Sequence, residues 1–314
     1  MDFHFESLPL TPLHDPLFME RGIELSLYEM HLNHPEISGN KWFKLKYNLI
    51  EAEKTGKNKL LTFGGAWSNH IYATAAACKK FGFSSVGIIR GERSPELSST
   101  LQFAEKAGMH LHFISRTEYR NKSTSVFIAE LYRQFGDFYL IPEGGSNTLG
   151  VKGCTEIVTG MNLSIGHALP AFDYVCCPCG TGATLAGITL SLKGHQKAIG
   201  FSALKGGEFL TDEVNKFRKD FFQTTQEGAQ HTSQDETAIF KINTDYHFGG
   251  YAKTTPELVS FREQFEIKHN IPLDDVYTAK MMFGIYDLIR RAYFKSGVKI
   301  IALHTGGLQS NTKK

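Results

Sequence analysis

The chain has 314 residues, 41% of them hydrophobic, and its 34 basic and 32 acidic side chains leave a formal charge of +2. That length and composition suit a globular protein with a sizeable core and room for two lobes. The near balance of charge excludes an electrostatic case for a nucleic-acid or anionic-membrane partner, so a small-molecule ligand is expected.

The first residues, Met1 to Glu6, lack the charged and apolar regions of a secretory signal, and no apolar run approaches the ~20 residues of a membrane span, which predicts a cytoplasmic location. Ile23 to Met30 alternates well enough for a strand and leads into a His-rich, Pro-containing loop. The stretch from Ser38 to Tyr47 then sets Gly39 and Asn40, both turn formers, before an apolar period of Trp42, Phe43, Leu45, Leu49 and Ile50. That pattern predicts a helix opening near Lys41, with Lys41 and Lys44 on one face. An α/β rhythm follows. Strands are predicted over Lys59 to Phe63, Ser85 to Arg90, Met109 to Ile114 and Phe138 to Ile141; helices over Ser68 to Phe81, Leu97 to Ala107 and Ser123 to Phe135. This run reads as one parallel-sheet lobe with helical crossovers. From Pro142 a turn-rich hinge changes lobe and a helix runs to about Gly160. Beyond it come a strand over Tyr174 to Pro178, a helix over Thr184 to Leu192 and a strand over Ala198 to Ser202. Residues 223 to 237 are polar without an apolar period and read as a surface loop. Helices over Pro256 to Lys268 and Ala279 to Lys295 precede a last strand, Lys299 to His304, whose C-terminal end meets Thr305-Gly306-Gly307, where open α/β sheets bind ligands.

Several of these junctions could carry chemistry. A lysine amine such as that of Lys41 can form a Schiff base with an aldehyde cofactor if it is desolvated or set beside another cation. The plain alternative is a solvated basic first turn. Cys179-Gly180-Thr181-Gly182-Ala183-Thr184, between a strand and a helix, has small residues that let backbone N–H groups approach an anion at a helix N-terminus. It lacks the Gly-Lys-Ser/Thr ending of a Walker loop and the spacing of a dinucleotide loop, so a monophosphate fits better. Gly64-Gly65-Ala66-Trp67-Ser68-Asn69-His70 lies at a second such junction, where the helix start could hold a carboxylate; Ser68 as an ordinary N-cap and His70 as a packing residue are the alternatives. Tyr251, after Gly249-Gly250, and Tyr277 read singly as core aromatics with tethered hydroxyls. Five cysteines, Cys78, Cys154, Cys176, Cys177 and Cys179, are odd in number and scattered. They suit reduced thiols, and the Cys-x-x-Cys within them has no second pair to make a zinc site.

In combination the segments resemble the pyridoxal-phosphate enzymes of the tryptophan-synthase-β-like fold, and within them the 1-aminocyclopropane-1-carboxylate deaminase and D-cysteine desulfhydrase family. The motifs are, in order, Gly39-Asn40-Lys41 with Lys44-Leu45, Gly64-Gly65 with Ser68-Asn69-His70, Pro142 to Asn147, Gly180 to Thr184, Gly250-Tyr251, Tyr277 and His304 to Gly307. The resemblance implies a two-lobed α/β protein, parallel-sheet lobes with helices on both faces, in which a small lobe of residues 48–147 is inserted in a large lobe of residues 1–47 and 148–314. It implies pyridoxal 5'-phosphate as cofactor, an amino acid as substrate and a homodimer. Lys41 would carry the Schiff base; Lys44 and the cup formed by Cys179, Gly180, Thr181, Gly182, Ala183 and Thr184 would hold the phosphate; Asn69 would bond the phenolic oxygen. Thr305 and Thr278 would face the pyridine nitrogen. Ser68 and Tyr277 would flank the substrate, with Tyr251 close behind and Trp67 and His70 in the substrate pocket. Deaminases of the family carry glutamate after the tyrosine matching Tyr277 and leucine in place of Thr305, whereas desulfhydrases carry threonine at both, as this chain does. Trp67 departs from the glutamine common to both groups. The expected reaction is therefore β-elimination from D-cysteine, with ring opening of 1-aminocyclopropane-1-carboxylate as the alternative and a non-catalytic pyridoxal-phosphate-binding protein as a reading of another class.

Overall fold

The computed structural model describes residues 7–163, 172–224 and 240–311. The expected N-terminal features of Met1 to Glu6 lie outside them, as does all of the expected polar loop except Gln223 and Thr224. Among the described residues ten strands form two sheets. The larger takes β1 (Leu10–Leu13), β2 (Glu24–Tyr28), β7 (Tyr174–Cys179), β8 (Lys197–Ser202), β9 (Phe240–Asn243) and β10 (Lys299–Leu303) in the order β1-β2-β10-β7-β8-β9. All its pairings are parallel except that of β1 with β2. The smaller takes β3 (Lys59–Gly64), β4 (Ser84–Arg90), β5 (Met109–Ile114) and β6 (Tyr139–Ile141) in the order β5-β4-β3-β6, wholly parallel. Such sheets are covered on both faces, so their strands read as apolar runs rather than clean alternations.

The period of two decides which core each side chain joins. On β10, Ile301 and Leu303 enter one hydrophobic cluster while Ile300 and Ala302 enter another; on β7, Val175 and Cys177 separate from Cys176 in the same way. The first cluster is closed by α2 (Asn40–Lys54), α3 (Asn69–Phe81), α7 (Thr148–Leu163), α8 (Ala183–Thr189) and α9 (Leu210–Thr224). The second is closed by α1 (Pro16–Arg21), α10 (Pro256–His269) and α11 (Thr278–Arg290). In the small sheet Leu61, Phe63, Val86 and Ile88 face α6 (Ser125–Phe135) and the short α5 (Arg116–Tyr119), while Ile89, Met109 and Leu111 face α3 and α4 (Ser99–Lys106). Helix α7 lies so close to α2 that a Cβ on Gly153 would fall 1.8 Å from the carbonyl oxygen of Phe43. No helix among the described residues is long and apolar enough to cross a membrane.

Five elements are absent from the sequence reading, one of them the four-residue α5, which a Ser115–Glu118 capping box starts. β1 contains Pro12, which marks against a strand but is tolerated on this antiparallel edge. α1 is only six residues long, started by Asp15 accepting from Leu17 N and by Pro16. α9 buries just Leu210, Val214 and Phe221, too sparse a set to stand out, and its last two residues, Gln223 and Thr224, were expected in the loop. β9 has four residues. The expected helix to Lys295 instead ends at Arg290, and Ala292 follows at φ 54°.

Candidate active site

A cavity of about 300 Å³ is lined by residues from the connections of both sheets, and its first lining residues, Asn40 and Lys41, follow directly on Gly39. Gly39 has φ 67° and ψ −141°, and a Cβ there would meet the carbonyl oxygen of Thr305 at 1.9 Å, so only glycine fits the turn. Asn33 brackets the same residue, donating to its carbonyl at 2.8 Å and accepting from its N–H at 2.9 Å. The turn delivers Asn40 and Lys41 as the first residues of α2. Lys41 Nζ donates to Asn40 Oδ1 at 2.9 Å, and Asn40 Nδ2 donates to Thr184 Oγ1 at 2.9 Å. Burial, and then the charge of Lys44, bring the Lys41 amine down to about 7 from its ordinary 10.5. Lys44, also lowered by burial, donates to Gly144 O at 3.0 Å and to Ser146 Oγ and Thr181 Oγ1, each at 3.3 Å. One ammonium group thereby joins the hinge after β6 to the loop after β7.

That second loop forms the cup. Cys179, Gly180, Thr181, Gly182 and Thr184 line the cavity; Ala183, the first residue of α8, is buried and outside the lining. Gly182 caps the helix at φ 83°, and a Cβ on Gly180 would come within 3.0 Å of the Tyr277 hydroxyl. From the small sheet, β3 ends beside α3, where Ser68 Oγ accepts from Ile71 N at 3.3 Å. Ser68, Asn69 and His70 all line the cavity, and Asn69 Oδ1 accepts from Gln309 at 2.7 Å. Tyr251 and Tyr277 line the opposite wall, ring centroids 6.1 Å apart and edge to face. Burial, then the Tyr251 hydroxyl, push Tyr277 well above the ordinary phenol range and keep it protonated. Thr305 also lines the cavity.

Besides Ala183, two expected residues stand outside the lining. Trp67 is 44% exposed and outside the lining, because it precedes the cap of α3 and turns to solvent. Thr278 is fully buried behind the wall; its hydroxyl donates to Asp274 Oδ1 and accepts from Asp274 N at 3.0 Å. Conversely, Asn40, Gly65, Arg90, Glu143, Gly144 and Leu204 line the cavity although the sequence reading gave them no role. Arg90 ends β4, and the preference of ligands for the carboxyl ends of parallel strands is the signal that could have found it. Leu204 carries no such signal.

Residues 8–306 match the family of pyridoxal-phosphate dependent enzymes. The chain belongs to that family. It is 30% identical, over 98% of its length and 78% of the relative's, to the bifunctional D-cysteine desulfhydrase/1-aminocyclopropane-1-carboxylate deaminase, mitochondrial, of Arabidopsis thaliana. To the D-cysteine desulfhydrase of Serratia proteamaculans it is 24% identical over 86% of its length and 82% of that protein's. A crystal structure of an ACC deaminase homologue superposes with a TM-score of 0.83 at 26% identity, covering 98% of this chain and 91% of that one. The fold is the tryptophan-synthase-β-like α/β fold of pyridoxal-phosphate enzymes. The residues present fit the cofactor of this family: an amine of lowered basicity, a second buried cation, a hydroxyl-bearing cup at a helix start, a glycine at 182 that takes the positive φ of the turn, and a glycine at 180 where a Cβ would press on the Tyr277 hydroxyl.

Proposed function

We propose that this pyridoxal-phosphate dependent enzyme is a lyase of the D-cysteine desulfhydrase kind, converting D-cysteine and water to pyruvate, ammonia and hydrogen sulfide. The observation that carries the reading is a hydroxyl in the cavity lining just past the end of β10. Thr305 offers a hydroxyl there, while the nearby Asp274 carboxylate is occupied by Val276 N at 3.0 Å, Tyr277 N at 2.8 Å, Thr278 N at 2.9 Å and the Thr278 hydroxyl. A hydroxyl rather than a carboxylate beside the ring nitrogen would suit direct elimination, in which a good leaving group departs soon after the Cα proton.

Pyridoxal phosphate, when bound, supplies an aldehyde for the amine and a ring that accepts electrons from the substrate's Cα. Lys41 would hold the cofactor's aldehyde through its amine and would take the substrate's Cα proton; an amine brought down to about 7 by burial is suited to accepting and returning a proton. Lys44, Thr181, Thr184 and the N–H groups from Gly180 to Thr184 would hold the phosphate, with Cys179 and Ala183 shaping the cup, and Asn69 would meet the phenolic oxygen. Ser68 and the start of α3 orient the substrate carboxylate. Tyr277, protonated and backed by Tyr251, donates its proton to the departing thiolate. Thr278 and Asp274 act from behind by fixing the backbone of Tyr277. His70 completes the wall, and Trp67 belongs to the outer rim.

The second reading is ring opening of 1-aminocyclopropane-1-carboxylate to 2-oxobutanoate and ammonia, favoured by the bifunctional plant relative. The small lobe is taken as residues 48–147, although the division at 47/48 falls inside the continuous helix α2. A cytoplasmic location, consistent with five buried free thiols, and a homodimer complete the proposal. The test is a panel of D-amino acids and 1-aminocyclopropane-1-carboxylate assayed for keto acid and sulfide, alongside borohydride trapping with peptide mapping. D-cysteine should lead the panel and the label should sit on Lys41; a preference for the cyclopropane substrate selects the second reading, and a label on Lys44 removes the assignment of the amine.

A further inference from the structure

Behind the start of α3 a short chain of hydrogen bonds determines where one imidazole keeps its proton. Thr62, on β3, is fully buried and lies 2.8 Å from the carbonyl oxygen of Ile141 on β6 and 2.8 Å from His70 Nε2. The hydroxyl has a single proton, and the carbonyl can only accept it. Nε2 must therefore donate, and a neutral ring with its proton on Nε2 has a bare Nδ1. Burial and then the charges of Lys41 and Lys44 hold the ring neutral. His70 is 2% exposed, lines the cavity, and its Nδ1 has no hydrogen-bond partner among the described residues. An unmade bond at a buried acceptor is costly, so an acceptor left this way beside a ligand cavity calls for a donor that arrives during function.

Two amines, those of Lys41 and Lys44, belong to residues lining the same cavity, and their charges act on the ring. Lys44 donates to three acceptors, Gly144 O, Ser146 Oγ and Thr181 Oγ1, which uses all its N–H groups. Lys41 donates to one, Asn40 Oδ1. We propose that Thr62 is a positioning residue that locks His70 in the Nε2–H tautomer, so that Nδ1 becomes the second acceptor for the Lys41 amine whenever that amine is not bonded to the cofactor. This rests on the reading of Lys41 as the reactive amine. Without the lock, the proton can move to Nδ1, and the acceptor becomes a donor, which cannot accept from an amine.

The first test needs no turnover. Long-range proton–nitrogen NMR of the cofactor-free protein, with the His70 signals identified by their loss in His70→Asn, should show the proton on Nε2; a proton on Nδ1 overturns the proposal. In the holoenzyme, Thr62→Val should lower kcat about tenfold while KM changes less than about twofold, and Thr62→Ser, which keeps the hydroxyl, should restore kcat to within about twofold. Because Thr62 acts through the ring, Thr62→Val should add nothing in the His70→Asn background. Equal losses in both backgrounds, or a Thr62→Val enzyme like wild type with borohydride still labelling Lys41, overturn the proposal alone. Label on another residue in the wild-type enzyme overturns the Lys41 reading and the proposal with it.

Discussion

At the scale of single residues the site is governed by what burial does to a lysine. An unfolded chain holds the Lys41 proton up to about 10.5, whereas the folded, cofactor-free protein releases it near 7. Between those values the unfolded state binds the extra proton, so stability rises with pH across the window; below it both states are charged and the whole cost of burying the ammonium remains. Lys41→Met should therefore stabilise the cofactor-free protein at about pH 6 by an amount on the order of a few kcal/mol, with the gain shrinking as pH approaches 10. Urea unfolding at the two ends of that range checks the sign. A gain that grows with pH would mean that Lys41 is not buried as an amine. Gly182 is the second residue on which the site depends. Its φ of 83° strains any side chain, and a Cβ would meet Val214 Cγ2 at 3.0 Å. Gly182→Asp adds a negative charge at an anion cup, and should weaken pyridoxal-phosphate affinity by about tenfold or more, read by titration of the apoenzyme, with less effect on turnover of the fraction still loaded.

Among the elements, α11 does more than close a core. Its N-cap residue is Tyr277, and three residues on Lys280, 1% exposed, donates to His247 O at 2.9 Å and Gly250 O at 2.8 Å. Those two bonds anchor the Gly249-Gly250 turn, where both glycines have positive φ, and the turn sets Tyr251 against Tyr277. Burial lowers the Lys280 amine to about 8, the consequence of placing a cation among carbonyls with little water. Lys280→Met takes the buried ammonium from two carbonyls that keep only their turn bonds from Gly250 N and Lys253 N, and should reduce kcat/KM about tenfold through displacement of Tyr251, with Lys280→Arg recovering part of it. Unchanged kinetics in Lys280→Met would show that the turn holds itself.

For the whole molecule, the decisive fact is that the cavity takes its walls from both sheets. Lys41 and Lys44 come from α2, Ser68 to His70 from the small sheet's first helix, the cup from β7 and α8, and Thr305 from the end of β10. A ligand spanning these walls stabilises them together. Removing pyridoxal phosphate should lower stability by about 2.7 kcal/mol relative to a hundredfold excess over Kd. Amide exchange should speed up at residues 41–44, 68–70 and 179–184 in parallel; a change confined to the cup would show that the small sheet takes no part in holding the cofactor.

The sequence by itself determined most of the elements and several site residues, for a physical reason. Helix periods, glycine stops and strand-to-helix turns are local, and so Gly39-Asn40-Lys41, Ser68-Asn69-His70 and Gly180 to Thr184 were legible without coordinates. Short or sparsely apolar elements such as α1, α9 and β9 were not, because their stability comes from the neighbours they cover. Tertiary structure alone decided which side chains face the cavity. Thr278 follows Tyr277 in sequence yet turns behind the wall to Asp274, and Trp67 precedes Ser68 yet faces solvent. Arg90 and Leu204, distant in sequence from every motif, arrive at the rim because β4 and β8 end there. The same holds for protonation: the sequence contains a lysine and a histidine, but only the packing around Lys41 and the Thr62–Ile141 contact establish a depressed amine and an Nε2–H imidazole, since desolvation and hydrogen-bond direction depend on groups far apart along the chain.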